Sequence, residues 1–209
     1  MTARRSRLPG RAGRLRLRRR LAAAERGADL LERKMRLLLD RRRAQEDTAR
    51  TAEARWRELI AAAEDWLVKG VVIAGEGSVA QAAPGTPGTL DVSWDVLMGV
   101  RHPSGSAWTP PARDPGAAAA RSTALVHAEA AYRDAVEAGA RYAVALAAAA
   151  LLSAEADRTR QRVRALRRHW IPRLTAELAA ADQALEQTEH EESVRRRWAA
   201  SHTPPRLHP

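Results

Sequence analysis

The reactive side chains of this 209-residue sequence are few and badly spaced for catalysis. Its six histidines, at 102, 127, 169, 190, 202 and 208, include no pair that one helical face could offer to a metal ion. Cysteine is absent, which removes thiolate ligands and disulfides together. Glu189, His190, Glu191 and Glu192 gather carboxylates around an imidazole, yet on a helix exterior such a run is a solvated face. Residues 75–81 hold two glycines and a serine but lack the Gly-Lys-Ser/Thr ending that neutralises a nucleotide's phosphates. Serine–histidine–aspartate chemistry needs a folded pocket. The expectation is a chain with no catalytic residue, no metal site and no cofactor. Its chemistry is that of charge.

That charge is concentrated. The formal net charge is +11, from 36 Lys/Arg and 25 Asp/Glu. Residues 1–43 carry 16 basic and 4 acidic side chains, whereas the remainder is balanced at 20 and 21. A cluster of this kind suits nucleic acid, acidic lipid or an acidic protein surface. Residues 1–55 offer no aromatic ring to stack on bases, which disfavours nucleic acid.

The elements that carry the charge are helical. Leucine, alanine, arginine and glutamate dominate, phenylalanine is absent, and tyrosine occurs twice, so an elongated protein is expected in place of a globule. From Leu17 the spacing alternates threes and fours for seven heptads. It runs through Leu21, Leu31, Met35 and Leu38, then a polar layer at Arg42 and Gln45, then Trp56, Leu59 and Trp66. Spacing sustained this far predicts a coiled coil. A helix of about 55 residues is about 80 Å long.

The pattern breaks at Gly70. Residues 90–98 alternate as a strand, with residues 71–74, which open on the β-branched Val71, Val72 and Ile73, as the expected partner. Residues 103–116 hold four prolines and two glycines and are read as irregular. Helical periodicity then resumes near Ala117. Its seam passes through Ala140, Val144, Ala147, Leu151 and Ala154, then Thr159, Val163, Leu166 and Trp170. Beyond Ile171 and Pro172 the seam continues as Leu174, Leu178, Ala181 and Leu185, with an inserted four-residue step. Such a stutter locally unwinds a supercoil, and it coincides with the kink expected at Pro172.

Two long helices joined by a compact insertion pair antiparallel. The fold class expected is mainly α: a long antiparallel two-helix coiled coil with a small β-hairpin-containing insertion at the closed end. The division is residues 1–69 (basic tip 1–20), 70–116 for the insertion, 117–200 for the kinked helix, and a disordered tail at 201–209. This arrangement places Arg14, Arg16, Arg18, Arg19 and Arg20 beside Arg195, Arg196 and Arg197 as one basic tip. The longest apolar run, residues 142–154, falls short of the roughly 20 residues a membrane span needs, and the arginine-rich start lacks a signal-peptide core. A cytoplasmic protein is expected.

Three segments, in order, resemble the D subunit of the V-type (vacuolar/archaeal-type) ATPases. The first is residues 14–38, with a leucine/arginine start, an isolated Gly27, then Leu30, Leu31 and a basic pair. The second is residues 97–103, a short strand ending in proline. The third is residues 158–166 followed by Ile171, Pro172 and residues 185–189. Arg164 stands where that family usually has asparagine and Arg167 where it usually has glutamate, so charge contacts at that level differ.

The resemblance implies a non-catalytic central-stalk rotor. It would couple ATP hydrolysis or synthesis in a catalytic ring to rotation of a membrane ring and to proton or sodium transport. Implied partners are the catalytic and regulatory nucleotide-binding subunits of the ring, the small F subunit of the rotor, and the socket subunit that links to the membrane ring. No small-molecule substrate is implied, and the place implied is cytoplasmic, peripheral to the membrane. Two alternatives stand beside it: a basic coiled-coil protein binding nucleic acid or a membrane surface through residues 1–43, and a structural spacer.

Overall fold

A computed structural model describes residues 10–82, 87–112 and 122–202. The outermost part of the basic tip, the middle of the Gly/Pro-rich region, the restart near Ala117 and the tail beyond 202 lie outside these residues. Helix α1 is Arg11–Ala74, 64 residues without a proline. Ion pairs three and four residues apart brace its exposed face, among them Arg57 with Glu53 at 2.6 Å and Lys69 with Asp65 at 2.5 Å.

Gly70 does not end the helix, and residues 71–74 are its last turn, not a strand. The reason is packing. A Cβ at Gly70 would lie 2.5 Å from Cδ2 of Leu125, so glycine here permits close approach of a neighbouring helix. The stop is Gly75, at φ +82°, whose N–H donates to the Val71 carbonyl at 2.8 Å. A short helix α2, Gly77–Ala82, follows.

The strand partner expected from sequence is also replaced. Strand β1, Thr89–Leu97, pairs antiparallel with β2, Val100–Thr109, most of which lies in the stretch read as irregular. Met98 and Gly99, both at positive φ, form the two-residue turn whose twist matches a hairpin. Pro103 is tolerated because the ladder shifts register between Ser93 and Trp94: these pair with Gly105 and Pro103, leaving Ser104 as the extra residue.

The remaining elements are α3, Thr123–Ala165, a π-helical turn at Leu166–Trp170, and α4, Ile171–Ser201. Two compact units result: residues 1–33 with 159–209, and residues 34–158. In the first, Arg11 meets Glu189, Arg14 meets Asp182, and Asp29 meets Arg167, so the helices run antiparallel. Leu17, Leu174 and Ala181 form its core, with Leu21, Ala24 and Leu178 packed around them. In the second, Lys34 meets Glu155, Trp56 stacks on Tyr142, and Trp66 faces His127, again antiparallel. Leu38, Leu152 and Ala156 are its best-buried cluster. The turn end of the hairpin, through Leu97 and Val100, packs on that cluster, far from the Ala74 end of α1.

From Ala145 onward the α3 seam runs one residue out of phase with the sequence expectation. Ala145, Leu152, Ala156 and Thr159 are buried, while Ala147, Leu151 and Ala154 are exposed. Residues 143–150 are nearly all alanine, so no polar residue marks which phase faces inward. Over an 18-residue window, the helical stretch Thr123–Ser201 has a mean hydropathy of 1.5, enough by length and composition to cross a membrane. Its inward alanines instead form the packing face against α1.

Two glycines of α1 make opposite predictions. Gly27 has nothing within 4 Å of a built Cβ, so Gly27→Ala should stabilise by about 0.5–1 kcal/mol through helix propensity. Gly70→Ala gains the same propensity but must displace Leu125, and overpacking costs about 1–3 kcal/mol. Its net effect should be destabilising. Thermal unfolding of the two variants checks the contrast; a shared sign would contradict it.

Candidate functional site

The seam residues separate by depth. Leu17, Leu38 and Leu174 are buried, whereas Leu21, Leu31, Met35, Trp56, Leu59, Val163, Leu166, Leu178 and Leu185 are half-buried. Trp56 is admitted by Gly139, where a Cβ would sit 3.1 Å from its ring. Trp170 is different. It is 42% exposed, and Ile171 takes the inward position that sequence spacing assigned to it.

The cause is the π-helical turn. Before it the inward residues are Leu152, Ala156, Thr159, Val163 and Leu166; after it they are Ile171, Leu174, Leu178, Ala181 and Leu185. Every step is three or four except that from Leu166 to Ile171, which is five. One extra residue is what a widened turn absorbs, and the Ile171 N–H donates to the Leu166 carbonyl across it. The stutter is thus a π-turn, and Pro172 falls in the first turn of α4, where its missing N–H is tolerated.

Two guanidiniums approach the ring of the displaced Trp170, Arg20 at 5.7 Å and Arg173 at 5.9 Å from its centre. Arg167, on the same turn, reaches α1 and pairs with Glu32 at 3.0 Å and Asp29 at 2.5 Å. The hydrogen bond to Glu32, set against some desolvation and helped by Asp29, holds Arg167 above its ordinary pKa. Sequence reasoning noted Arg167 as a departure but missed these partners, because ion pairs across helices have no sequence spacing. The five-residue step was the available signal for the turn.

The basic residues assigned to one tip occupy separate levels. Arg14 pairs with Asp182 at 2.5 Å, while Arg16, Arg18, Arg19 and Arg20 are exposed. Arg195 lies thirteen residues beyond Asp182, about 20 Å along α4. There Arg195 and Arg196 face Glu191 and Glu192 of their own helix at 3.4 and 3.2 Å, and Arg197 reaches the Ser193 carbonyl at 3.4 Å. Arg195 and Arg196 are therefore compensated by carboxylates of their own helix, whereas Arg16, Arg18, Arg19 and Arg20 are not.

The unit formed by residues 34–158 offers apolar surface instead. Leu90, Val92, Trp94 and Val96 alternate along β1 and are all exposed, with Arg101 stacked 4.7 Å over Trp94. Val68, Val72 and Ile73, near the end of α1, are 61, 79 and 71% exposed. Exposed apolar groups gathered this way mark protein contacts. A shallow groove of 540 Å³ is lined by Asp47, Thr48, Thr51, Ala52 and Arg55 on α1 and by Ala138 and Arg141 on α3. Among the described residues no His, Cys, Asp or Glu cluster could hold a metal.

Comparison with family models gives a match over residues 14–201 to the D-subunit family of ATP synthases. Comparison with curated proteins gives no match.

Proposed function

The chain belongs to the ATP synthase D-subunit family, that of the D subunit of V-type ATPases, and on that premise we propose that it is the central-stalk rotor of such an enzyme. The observation that carries the reading is the length of the match, which takes in both long helices and the hairpin. Membership places the chain in a rotary ATPase complex as a subunit other than the catalytic one. The rotor role goes further and rests on physical fit.

An axle must resist twisting and must present different faces to the subunits around it. Apolar seams in both antiparallel units supply stiffness. The π-turn before Pro172 breaks the uniformity of the helix pair of residues 1–33 and 159–209, so the catalytic and regulatory nucleotide-binding subunits of the ring meet unlike surfaces as it turns. ATP hydrolysis in the ring drives the rotation, and ion flow through the membrane ring drives it in reverse toward synthesis. The exposed apolar strand face and the end of α1 are suited to the small F subunit of the rotor and to the socket subunit of the membrane ring. The complex then stands on the cytoplasmic side of the membrane. The arginines of α1 and of the α4 end act as a bearing against the ring, at two levels.

Co-purification tests this. The full chain should come down at moderate salt with the nucleotide-binding subunits and the small F subunit, and addition of the F subunit should protect the hairpin from proteolysis. Binding of duplex DNA with a steep salt dependence, and no capture of ring subunits, would sink the rotor reading in favour of a nucleic-acid-binding coiled coil.

A further inference from the structure

Strand β1 is held on one edge only. Among the described residues its sole ladder neighbour is β2, and every side chain from Thr89 to Val96 is exposed. The strand that carries the hairpin's buried side chains is β2, through His102 and Pro103.

The turn fixes which backbone groups of β1 point outward. Leu97 and Val100 flank a two-residue turn and so exchange both of their backbone hydrogen bonds with each other. The extra residue of the bulge is Ser104 of β2, so the alternation along β1 is unbroken and its odd-numbered residues bond to β2. The N–H and C=O groups of Leu90, Val92, Trp94 and Val96 therefore face the other edge. One of them confirms the direction: the Val96 N–H donates to Oδ1 of the adjacent Asp95 at 2.7 Å, in place of a strand carbonyl. Nine residues make this edge about 30 Å long.

Natural proteins guard such edges with lysine, proline or a bulge. None of these occurs in β1, although β2 has both a proline and the bulge. The charged residues of β1 are Asp91 and Asp95, on the face opposite Leu90, Val92, Trp94 and Val96. Pairing about Ser93 with β1 of a second copy would set Asp91 against Asp95 twice, which like charges oppose. The same two carboxylates favour a foreign strand with basic residues beside them, and the four apolar side chains favour apolar residues in between.

We infer that β1 is a strand-addition site for an extended segment of a partner protein, apolar on one face and basic on the other. Main-chain hydrogen bonds along the open edge hold the segment, and its alternation sets the register. Asp95 gives up the Val96 N–H as the segment arrives. Such a site goes beyond the rotor reading and stands or falls without it.

The probe is a synthetic peptide of alternating valine and lysine, added to the full chain. It should slow amide exchange at Val92 and Trp94 at least about tenfold and leave Ser93 and Leu97, already in the ladder, nearly unchanged. Val92→Pro removes an outward N–H and no ladder bond, so the hairpin should persist while peptide binding falls at least about tenfold. Asp91→Lys should shift preference from this peptide to one of valine and glutamate. Equal binding by wild type and Val92→Pro, unchanged exchange at Val92 and Trp94, or no shift of preference overturns the site as stated. A wild-type dimer that Val92→Pro dissociates assigns the edge to a second copy and overturns the partner segment. Should the proline unfold the hairpin, the wild-type exchange pattern decides by itself. All of these outcomes leave co-purification with ring subunits, and so the rotor reading, untouched.

Discussion

Deleting His169 should leave the protein at least as stable as wild type yet lower the number of ions moved per ATP in the assembled enzyme. The deletion shortens the step from Leu166 to Ile171 from five residues to four. An α-helix then carries the inward face through Leu166, Ile171 and Leu174 without a widened turn. His169 is exposed, so no packing is lost. Removing a π-turn restores better-aligned backbone hydrogen bonds, so stability should hold or rise by about 1 kcal/mol. What disappears is the local irregularity, and Trp170 with it is drawn toward the seam flank. Pro172→Ala makes the informative partner. It returns an N–H to the first turn of α4, stabilises by no more than about 3 kcal/mol, and keeps the five-residue step. If the turn matters for coupling, the deletion impairs pumping more than the proline substitution does. Thermal unfolding and ATP-driven ion transport measured on the same preparations decide it. Equal pumping by deletion variant and wild type would remove the π-turn from the mechanism.

Leu152→Ala should cost about 2–5 kcal/mol, and Leu151→Ala less than about 0.5 kcal/mol. The adjacent leucines differ only in which way they point: Leu152 is fully buried against Leu38 and Ala156, and Leu151 is 42% exposed. The Leu152 cavity also undermines the seat of Leu97 and Val100. A two-stranded hairpin is marginal without such a seat, so amide exchange along β1 and β2 should rise before the helices melt. Denaturant titration gives the first quantity and hydrogen exchange the second. Equal losses from the two leucines would restore the phase that sequence spacing suggested.

That phase shows how far the chain could be read in advance. Wherever large apolar residues alternated with charges, as from Leu17 to Leu38, the inward face was legible, because helical periodicity is a local property of 3.6 residues per turn. It failed across residues 143–150, where alanines on every face look alike. Gly70 was misread for a related reason: a glycine that ends a helix and a glycine that admits a neighbour are identical in sequence, and only Leu125 separates them. The strand at residues 89–97 was visible by alternation, but its partner was not. Pro103 and Gly105 hid β2, and the bulge that accommodates them exists only once the two strands are paired.

The candidate surfaces divide in the same way. That the chain is basic and resembles the D-subunit family was available from residue types and their order. Which arginines remain unpaired was not. Arg14 and Arg167 look no different in sequence from Arg18 or Arg168 until Asp182 and Glu32 of the facing helix are placed beside them.

By itself, then, the sequence determined two long helices, their antiparallel pairing, the discontinuity near Pro172 and the family. These follow from periodicity, connection length and motif order, all of which are properties of the chain alone. The tertiary structure decided the phase of the alanine-rich seam, the conversion of the stutter into a π-turn that turns Trp170 outward, and the seat of the hairpin. Each of these depends on which side chain a neighbouring helix presents, and that is set by packing between segments distant in sequence.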